Sequence, residues 1–87
     1  MYYKHYTKRF KKSFNKILRS GKVNREEVEA VIDIIASEKK LGAEYQDHPL
    51  HGYFDGFREC HVKSNLLLIY KIKNQELILI LFDIGTH

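Results

Sequence analysis

Two apolar segments near the end of the sequence constrain the fold more than any other feature. Residues 66–73 and 76–84 are apolar on both faces of an extended chain, and only residues 74 and 75 separate them. A short run that is apolar on both faces is typical of a buried strand, and a very short connection joins antiparallel neighbours. Residues 57–62 predict a third strand, joined through a tight turn at residues 63–65. The sequence therefore predicts a three-stranded antiparallel meander with 66–73 at its centre.

The first half of the sequence has the periodicity of helices. Phe10, Phe14, Ile17 and Leu18 follow the spacing i, i+4, i+7 and i+8, which predicts a helix over residues 7–20. Thr7 is a candidate N-cap for this helix, and Gly21 is suited to the left-handed residue that ends it.

A second helix is predicted to begin after Asn24, which is a good N-cap residue. Glu26 and Glu27 favour the first turn through the helix dipole, and Lys39 and Lys40 are expected at the far end, before Gly42. Its apolar stripe consists of Val28, Val31, Ile32 and Ile35. Two helices with a short connection form an α-helical hairpin.

The predicted order of elements gives one fold class. Residues 2–6 are rich in tyrosine and predict an N-terminal strand. Together with the hairpin and the meander, this strand gives a two-layer α+β domain in which the helices cover one face of a single sheet. With 87 residues, we expect one domain over residues 1–87.

Charge and composition limit the class of protein. Residues 1–23 carry eight Lys or Arg and no acidic residue, whereas the remaining seven basic residues are outnumbered by eleven acidic ones. Such a basic segment suits a polyanion or an acidic protein partner, although a solvated helix face explains it equally well. No stretch reaches the roughly 20 apolar residues of a membrane span, and one cysteine forms no internal disulfide. We therefore expect no membrane association and a cytoplasmic location.

Residues 47–62 concentrate the side chains that could carry chemistry. They hold three of the five histidines, the only proline and the only cysteine. If the meander strands are neighbours, His61 and His87 can lie at the same end of the sheet, and the loop carrying His48 can fold over that end. Histidine gives or takes a proton near neutral pH, so three imidazoles on a basic protein suggest acid–base cleavage of RNA without a metal or other cofactor. Arg58 and Lys63 could offset the charge of the phosphate.

Other interpretations of these residues stay open. Each histidine could have only a structural role, with His48 bonded to its loop and His61 half-buried beside Glu59. A metal site at His48, His51 and His61 is less favoured because no cysteine or carboxylate pattern completes a zinc set. Cys60 alternates with His61 along a strand, so it is expected in the core rather than as a nucleophile.

Several motifs resemble a known family. The sequence is similar to the YafQ-like branch of the RelE/ParE toxin superfamily over nearly its whole length. The matching segments are Asp47-His48-Pro49-Leu50, Gly52, Gly56-Phe57-Arg58, His61-Val62, Leu68-Ile69-Tyr70-Lys71 and Gly85-Thr86-His87, with Thr7-Lys8-Arg9-Phe10-Lys11-Lys12 resembling the usual opening.

The resemblance implies a RelE-like fold and a bacterial toxin of a type II toxin–antitoxin pair. Such toxins enter the A site of the 70S ribosome and cut mRNA without a metal, through attack of the 2′-hydroxyl on the neighbouring phosphate. It also implies a cognate antitoxin as partner, which we expect to be acidic and amphipathic.

The resemblance also assigns roles to residues. His87 is the expected general acid, and His48 and His61 are candidates for the base and for transition-state stabilisation. Arg58 matches an arginine of the motif that holds phosphate or braces the sheet. The remaining expected RNA or phosphate contacts are Lys63, Asn65, Lys8, Lys11 and Lys12.

Three positions depart from the family pattern. Asn65 stands where an acidic residue is frequent, so the base role shifts towards a histidine. Leu66 stands where an aromatic residue can occur, which puts base stacking there in doubt. Asp83 stands where a basic residue can occur, which would weaken phosphate contact.

Two other functions compete with the nuclease. A gyrase-directed toxin of the ParE side would share the fold, but it needs no acid–base histidines. A non-enzymatic binding module would use the basic helices only to dock an antitoxin or a nucleic acid.

Overall fold

The computed structural model describes residues 1–86 and has two helices packed on one face of a five-stranded sheet. The elements are β1 (Tyr3–Tyr6), α1 (Lys8–Arg19), α2 (Arg25–Ala36), β2 (His48–Pro49), β3 (Arg58–Lys63), β4 (Leu66–Lys73) and β5 (Ile78–Thr86). Two 3-10 turns, Ala43–Tyr45 and Gly52–Phe54, lie on either side of β2. Within residues 1–86, neither helix has the length and apolar character needed to cross a membrane.

The strand order in the sheet is β1-β5-β4-β3-β2. The pairs β2–β3, β3–β4 and β4–β5 are antiparallel, whereas β1 runs parallel to β5, from Tyr3 opposite Ile78 to Tyr6 opposite Leu81. The predicted α+β class, the meander and the shared sheet are confirmed, and β4 is the central strand as predicted.

The predicted helix starts are correct, but the end of the second helix is not. The Thr7 hydroxyl accepts from the Phe10 amide at 3.0 Å, and Asn24 forms a capping box with Glu27. The helix α2 ends at Ala36, so Lys39 and Lys40 lie beyond it. Glu38 takes a left-handed conformation (φ 65°), which closes the last turn in the place where the sequence offers no glycine.

The structure also adds a strand that the sequence did not predict. The segment carrying His48 was expected to be a loop, yet β2 pairs with β3 through His48 opposite Glu59 and Pro49 opposite Arg58. Proline is tolerated only at an edge of a sheet, and β2 is such an edge. The strand β5 begins at Ile78 rather than at residue 76 because Leu77 occupies a left-handed turn position (φ 55°).

The core lies between the helices and the sheet. Phe10 and Phe14 of α1 and Val28 and Ile32 of α2 are buried against it. The sheet contributes the buried side chains of Cys60, Val62, Leu66, Leu68, Tyr70, Leu79, Leu81 and Ile84. Because side chains alternate along a strand, their neighbours point to the opposite face of the sheet.

Candidate functional site

The sheet face turned away from the helices carries two of the predicted histidines. On β3, Glu59 and His61 alternate with the buried Cys60 and therefore lie on this face. Their partners on β4 are Ile69 and Leu67. We call this surface, with Glu59, His61, Leu67, Ile69 and Lys71 at its centre, the open face.

His48 lies beside β3 on the same face. The pairing of β2 places it opposite Glu59, and its Nε2 is 3.3 Å from Glu59 Oε1. Its Nδ1 is 2.7 Å from the carbonyl oxygen of Gln46. The expected loop over the end of β3 is therefore wrong in detail, because His48 is level with a residue two positions before His61. That offset is about 6.8 Å along a strand.

His61 is positioned by the turn that follows β3. Its Nδ1 lies 3.1 Å from the carbonyl oxygen of Ser64, which has a left-handed backbone (φ 35°). Across β4, Leu67 pairs with both His61 and Gly85, so β5 reaches the level of His61 two strands away. His87 comes two residues after Gly85 in sequence and lies outside the described residues.

Arg58 points to the other side of β3, towards the helices. Its Nε and Nη2 donate to Asp47 Oδ2 at 3.1 and 2.9 Å, and the Tyr70 hydroxyl donates to Asp47 Oδ1 at 2.5 Å. The hydrogen bond that Arg58 donates to Asp47 raises the pKa of Arg58, and burial together with the bond donated to Asp47 raises the pKa of Tyr70. The two roles expected for Arg58 were to hold phosphate or to brace the sheet. The observed contacts fit bracing, because the Arg58 side chain holds the segment before His48 to the sheet.

Lys63 is also turned away from the histidines. An irregularity in the pairing of β3 and β4 falls between His61 and Lys63. The Lys63 Nζ lies 3.0 Å from Glu27 Oε2 and donates to the Lys22 carbonyl at 3.2 Å. Asn65 lies exposed in the tight turn after β3, beside the end of the strand that carries His61.

The helix lysines lie in the other layer of the domain. Lys8, Lys11 and Lys12 are exposed on α1, which packs its opposite stripe onto the sheet. The structure therefore does not bring them together with His48 and His61. Arg9 is different, because its Nε donates to Asp83 Oδ2 on β5 at 2.9 Å.

Two residues were missed as candidates from the sequence, one beside His48 and one at β5. Glu59 is the side-chain partner of His48. Its position two residues before His61 in a predicted strand indicates that both side chains lie on the same face, so the sequence could have identified it. Arg9 reaches β5 across 74 positions of sequence, and no local pattern indicates such a contact.

The structure also bears on two other candidates, a reactive cysteine and a metal site. Burial, with the nearby charges of Asp47 and Glu59, raises the pKa of the Cys60 thiol to about 12, so it is inert at neutral pH. Among residues 1–86, no group of three or more His, Cys, Asp or Glu side chains is arranged to hold a metal ion.

Comparison with known proteins gives consistent matches. A family model described as the bacterial toxin of the type II toxin–antitoxin system, YafQ, matches residues 2–87. The mRNA interferase toxin YafQ of Escherichia coli K12 is 40% identical over 55 residues, which cover 62% of this chain and 56% of that protein. The matched stretch thus spans little more than half the length of this curated relative.

Solved structures match over the full chain. A metal-bound toxin from Helicobacter pylori is 40% identical with a TM-score of 0.89, covering 100% of this chain and 96% of that one. YafQ in the Escherichia coli DinJ–YafQ complex is 27% identical with a TM-score of 0.82, covering 100% and 94%.

Proposed function

The chain belongs to the YafQ family of bacterial toxins of type II toxin–antitoxin systems, and from that premise we propose that it is an endoribonuclease that cuts mRNA on the ribosome. The observation that carries the proposal is the placement of His48 and His61 on one exposed sheet face, each with one ring nitrogen bonded to a backbone carbonyl. A gyrase-directed toxin would need no such pair.

The hydrogen bonds divide the roles of the two histidines. A carbonyl oxygen only accepts, so the Nδ1 of His61 must carry its proton towards Ser64. In the neutral ring, Nε2 then holds the lone pair, and among the described residues no side chain occupies it. His61 is therefore the group suited to take the proton from a 2′-hydroxyl.

His48 has acceptors at both ring nitrogens. Nδ1 faces the Gln46 carbonyl and Nε2 faces the Glu59 carboxylate, so both contacts are hydrogen bonds only when each nitrogen carries a proton. A ring in that state carries a positive charge, which at close range offsets the negative charge that develops on the phosphate in the transition state. The role of His48 in this proposal is thus electrostatic.

The cleavage step needs no cofactor in this scheme. The 2′-oxygen forms a bond to phosphorus as His61 removes its proton, and the bond from phosphorus to the 5′-oxygen breaks. The departing 5′-oxygen takes a proton from His87, the role that the family resemblance implies. The products are a 2′,3′-cyclic phosphate and a 5′-hydroxyl.

The partners follow from the same family. We infer a cognate antitoxin, because the related toxin YafQ has been solved as a complex with DinJ. The 70S ribosome and mRNA are the proposed target, which places the activity in the bacterial cytoplasm. An acidic antitoxin segment over α1 would meet the exposed charges of Lys8, Lys11 and Lys12.

The test is cleavage of a defined mRNA in a reconstituted translation system, mapped by primer extension with and without ribosomes. We expect cuts only with ribosomes, and a loss of about 10²- to 10⁴-fold in His61→Ala or His87→Ala, the usual contribution of a proton-transfer group. His5→Ala, which changes an exposed histidine on the far edge strand β1, is the matched control. Unchanged cleavage in His48→Ala, His61→Ala and His87→Ala would refute the mechanism.

A further inference from the structure

A cluster of aromatic rings lies on the sheet near the start of β3, before His61 along the chain. The ring centroids of Phe57 and Phe82 are 5.0 Å apart, and that of Phe54 lies 6.0 Å from Phe57 and 6.1 Å from Phe82. Tyr53 stands edge-on to Phe54 at 5.2 Å and is 95% exposed. We call these four residues the aromatic platform. The three phenylalanines are only half-buried, so ring surface is available to a ligand.

The aromatic platform continues the open face. Phe57 is two residues before Glu59 along the chain, and Lys71 of the open face has its Nζ 5.3 Å from the centre of the Phe57 ring. His61 comes four positions after Phe57, a distance of about 13 Å along an extended chain. A single extended polymer can therefore contact the rings and the histidines at the same time.

Two cations border the rings. The Arg9 guanidinium carbon lies 5.3 Å from the centre of the Phe82 ring, and Lys71 lies over Phe57. Arg9 is held in position by Asp83. The Arg9 Nε donates to the Asp83 carboxylate, which also accepts from the Ser13 hydroxyl at 2.6 Å. The Arg9 side chain is still 63% exposed, so it remains accessible to a ligand.

This combination selects among ligands. An apolar protein segment would use exposed rings but would have to cover two charges. Single-stranded RNA supplies flat bases for the rings and phosphates for the cations, and base–aromatic stacking with basic groups is the general mode of binding single strands.

We propose that the aromatic platform, with Arg9 and Lys71, binds unpaired RNA bases next to the phosphate that lies between His48 and His61. The proposal rests on the proposed function in taking mRNA as the substrate. It also accounts for two departures from the family pattern. Leu66 is 2% exposed and cannot stack, whereas Phe57 and Phe82 can. The negative charge of Asp83 is paired with Arg9, so this position also brings a cation to the phosphate.

The test measures binding separately from cleavage. The probe is a short single-stranded RNA whose 2′-hydroxyls are replaced by fluorine, so that it cannot be cut, with one 2-aminopurine whose fluorescence falls on stacking. We expect the wild-type chain to bind it and quench it, and Phe82→Leu to bind at least about fivefold more weakly without quenching, since one stack contributes roughly 1–3 kcal/mol. Phe82→Tyr keeps a ring and should restore both signals.

Two more variants keep the test independent of folding. Tyr53 is 95% exposed, so Tyr53→Ala leaves the core intact and should weaken binding in the same direction. Tyr3→Ala removes an exposed ring on β1, outside the aromatic platform, and should change nothing. Arg9→Gln should lower the slope of log affinity against log salt by about 0.7, the value for one phosphate contact on a single strand.

Several results would overturn the proposal. These are a wild-type chain that neither binds nor quenches the probe, a Phe82→Leu variant that matches it, and a Phe82→Leu variant that loses only antitoxin binding. Ribosomal cleavage measured in parallel separates the two proposals. Cleavage with no effect of the rings on RNA binding rejects the platform alone, and quenching without cleavage rejects the nuclease alone.

Discussion

The carboxylate of Asp47 is the contact through which the fold fixes His48, and Asp47→Asn tests this. Asp47 directly precedes the two-residue strand β2, and it is the acceptor for both Arg58 and Tyr70. The amide of asparagine keeps one oxygen and loses the charge and the second acceptor. We therefore expect β2 to loosen from the sheet and His48 to lose its position opposite Glu59.

The size of the effect follows from the hydrogen bonds that the substitution weakens or removes. Hydrogen bonds to a charged group contribute about 1.5–3 kcal/mol, against about 1 kcal/mol for neutral ones. The side chains of Asp47 and Arg58 are 23% and 39% exposed, so solvent screens part of this difference. We expect the free energy of unfolding to fall by about 2 kcal/mol. Cleavage should fall by up to about 10²-fold, because small displacements of a reacting group have large effects on rate.

Urea denaturation followed by circular dichroism gives the stability, and the reconstituted translation assay gives the activity. Asp55→Asn changes an exposed aspartate in the same segment and should leave both unchanged. A double-mutant cycle with Tyr70→Phe should show coupling of about 0.5–3 kcal/mol. Strict additivity, or full activity in Asp47→Asn, would refute the reasoning.

Three further outcomes are expected. Burial would raise the pKa of Asp83, but hydrogen bonds from Ser13, Arg9 and the Ile84 amide outweigh it and hold that pKa below its ordinary value. Asp83→Asn should therefore lower the free energy of unfolding at neutral pH. In urea titrations this difference from the wild-type chain should disappear as the pH falls below about 4. Cys60 should react with iodoacetamide near neutral pH only after unfolding, by mass spectrometry, since its thiol pKa is about 12. Phe10→Ala should cost about 3–5 kcal/mol in denaturation, because Phe10 is 1% exposed.

Periodicity carried most of the fold prediction. The apolar stripe beginning at Phe10 and the caps Thr7 and Asn24 located both helices, because those signals are local. The end of α2 and the strand β2 were missed for the same reason. Glu38 adopts its left-handed turn without a glycine, and β2 exists only because β3 is there to pair with it.

The site was less predictable than the fold. Motif similarity selected His48 and His61, and the sheet places both on one face. Residue type and the family motif made Arg58 and Lys63 candidates for phosphate contact, with bracing of the sheet as the other role of Arg58. In the structure each side chain bonds a carboxylate on the helical side of the sheet, Asp47 and Glu27 respectively. The direction of a side chain depends on strand register and irregularities, which a single sequence does not show.

The parallel pairing of β1 with β5 has a consequence for synthesis. β5 is the last of the five strands to leave the ribosome that makes this chain, and it pairs with both β4 and β1. Until then, the apolar stripes of α1 and α2 have only part of the sheet to cover them. Contacts so distant in sequence form late, so the domain gains its native shape only when translation of the described strands is complete. Any surface that depends on the finished sheet therefore exists only after β5 has been made.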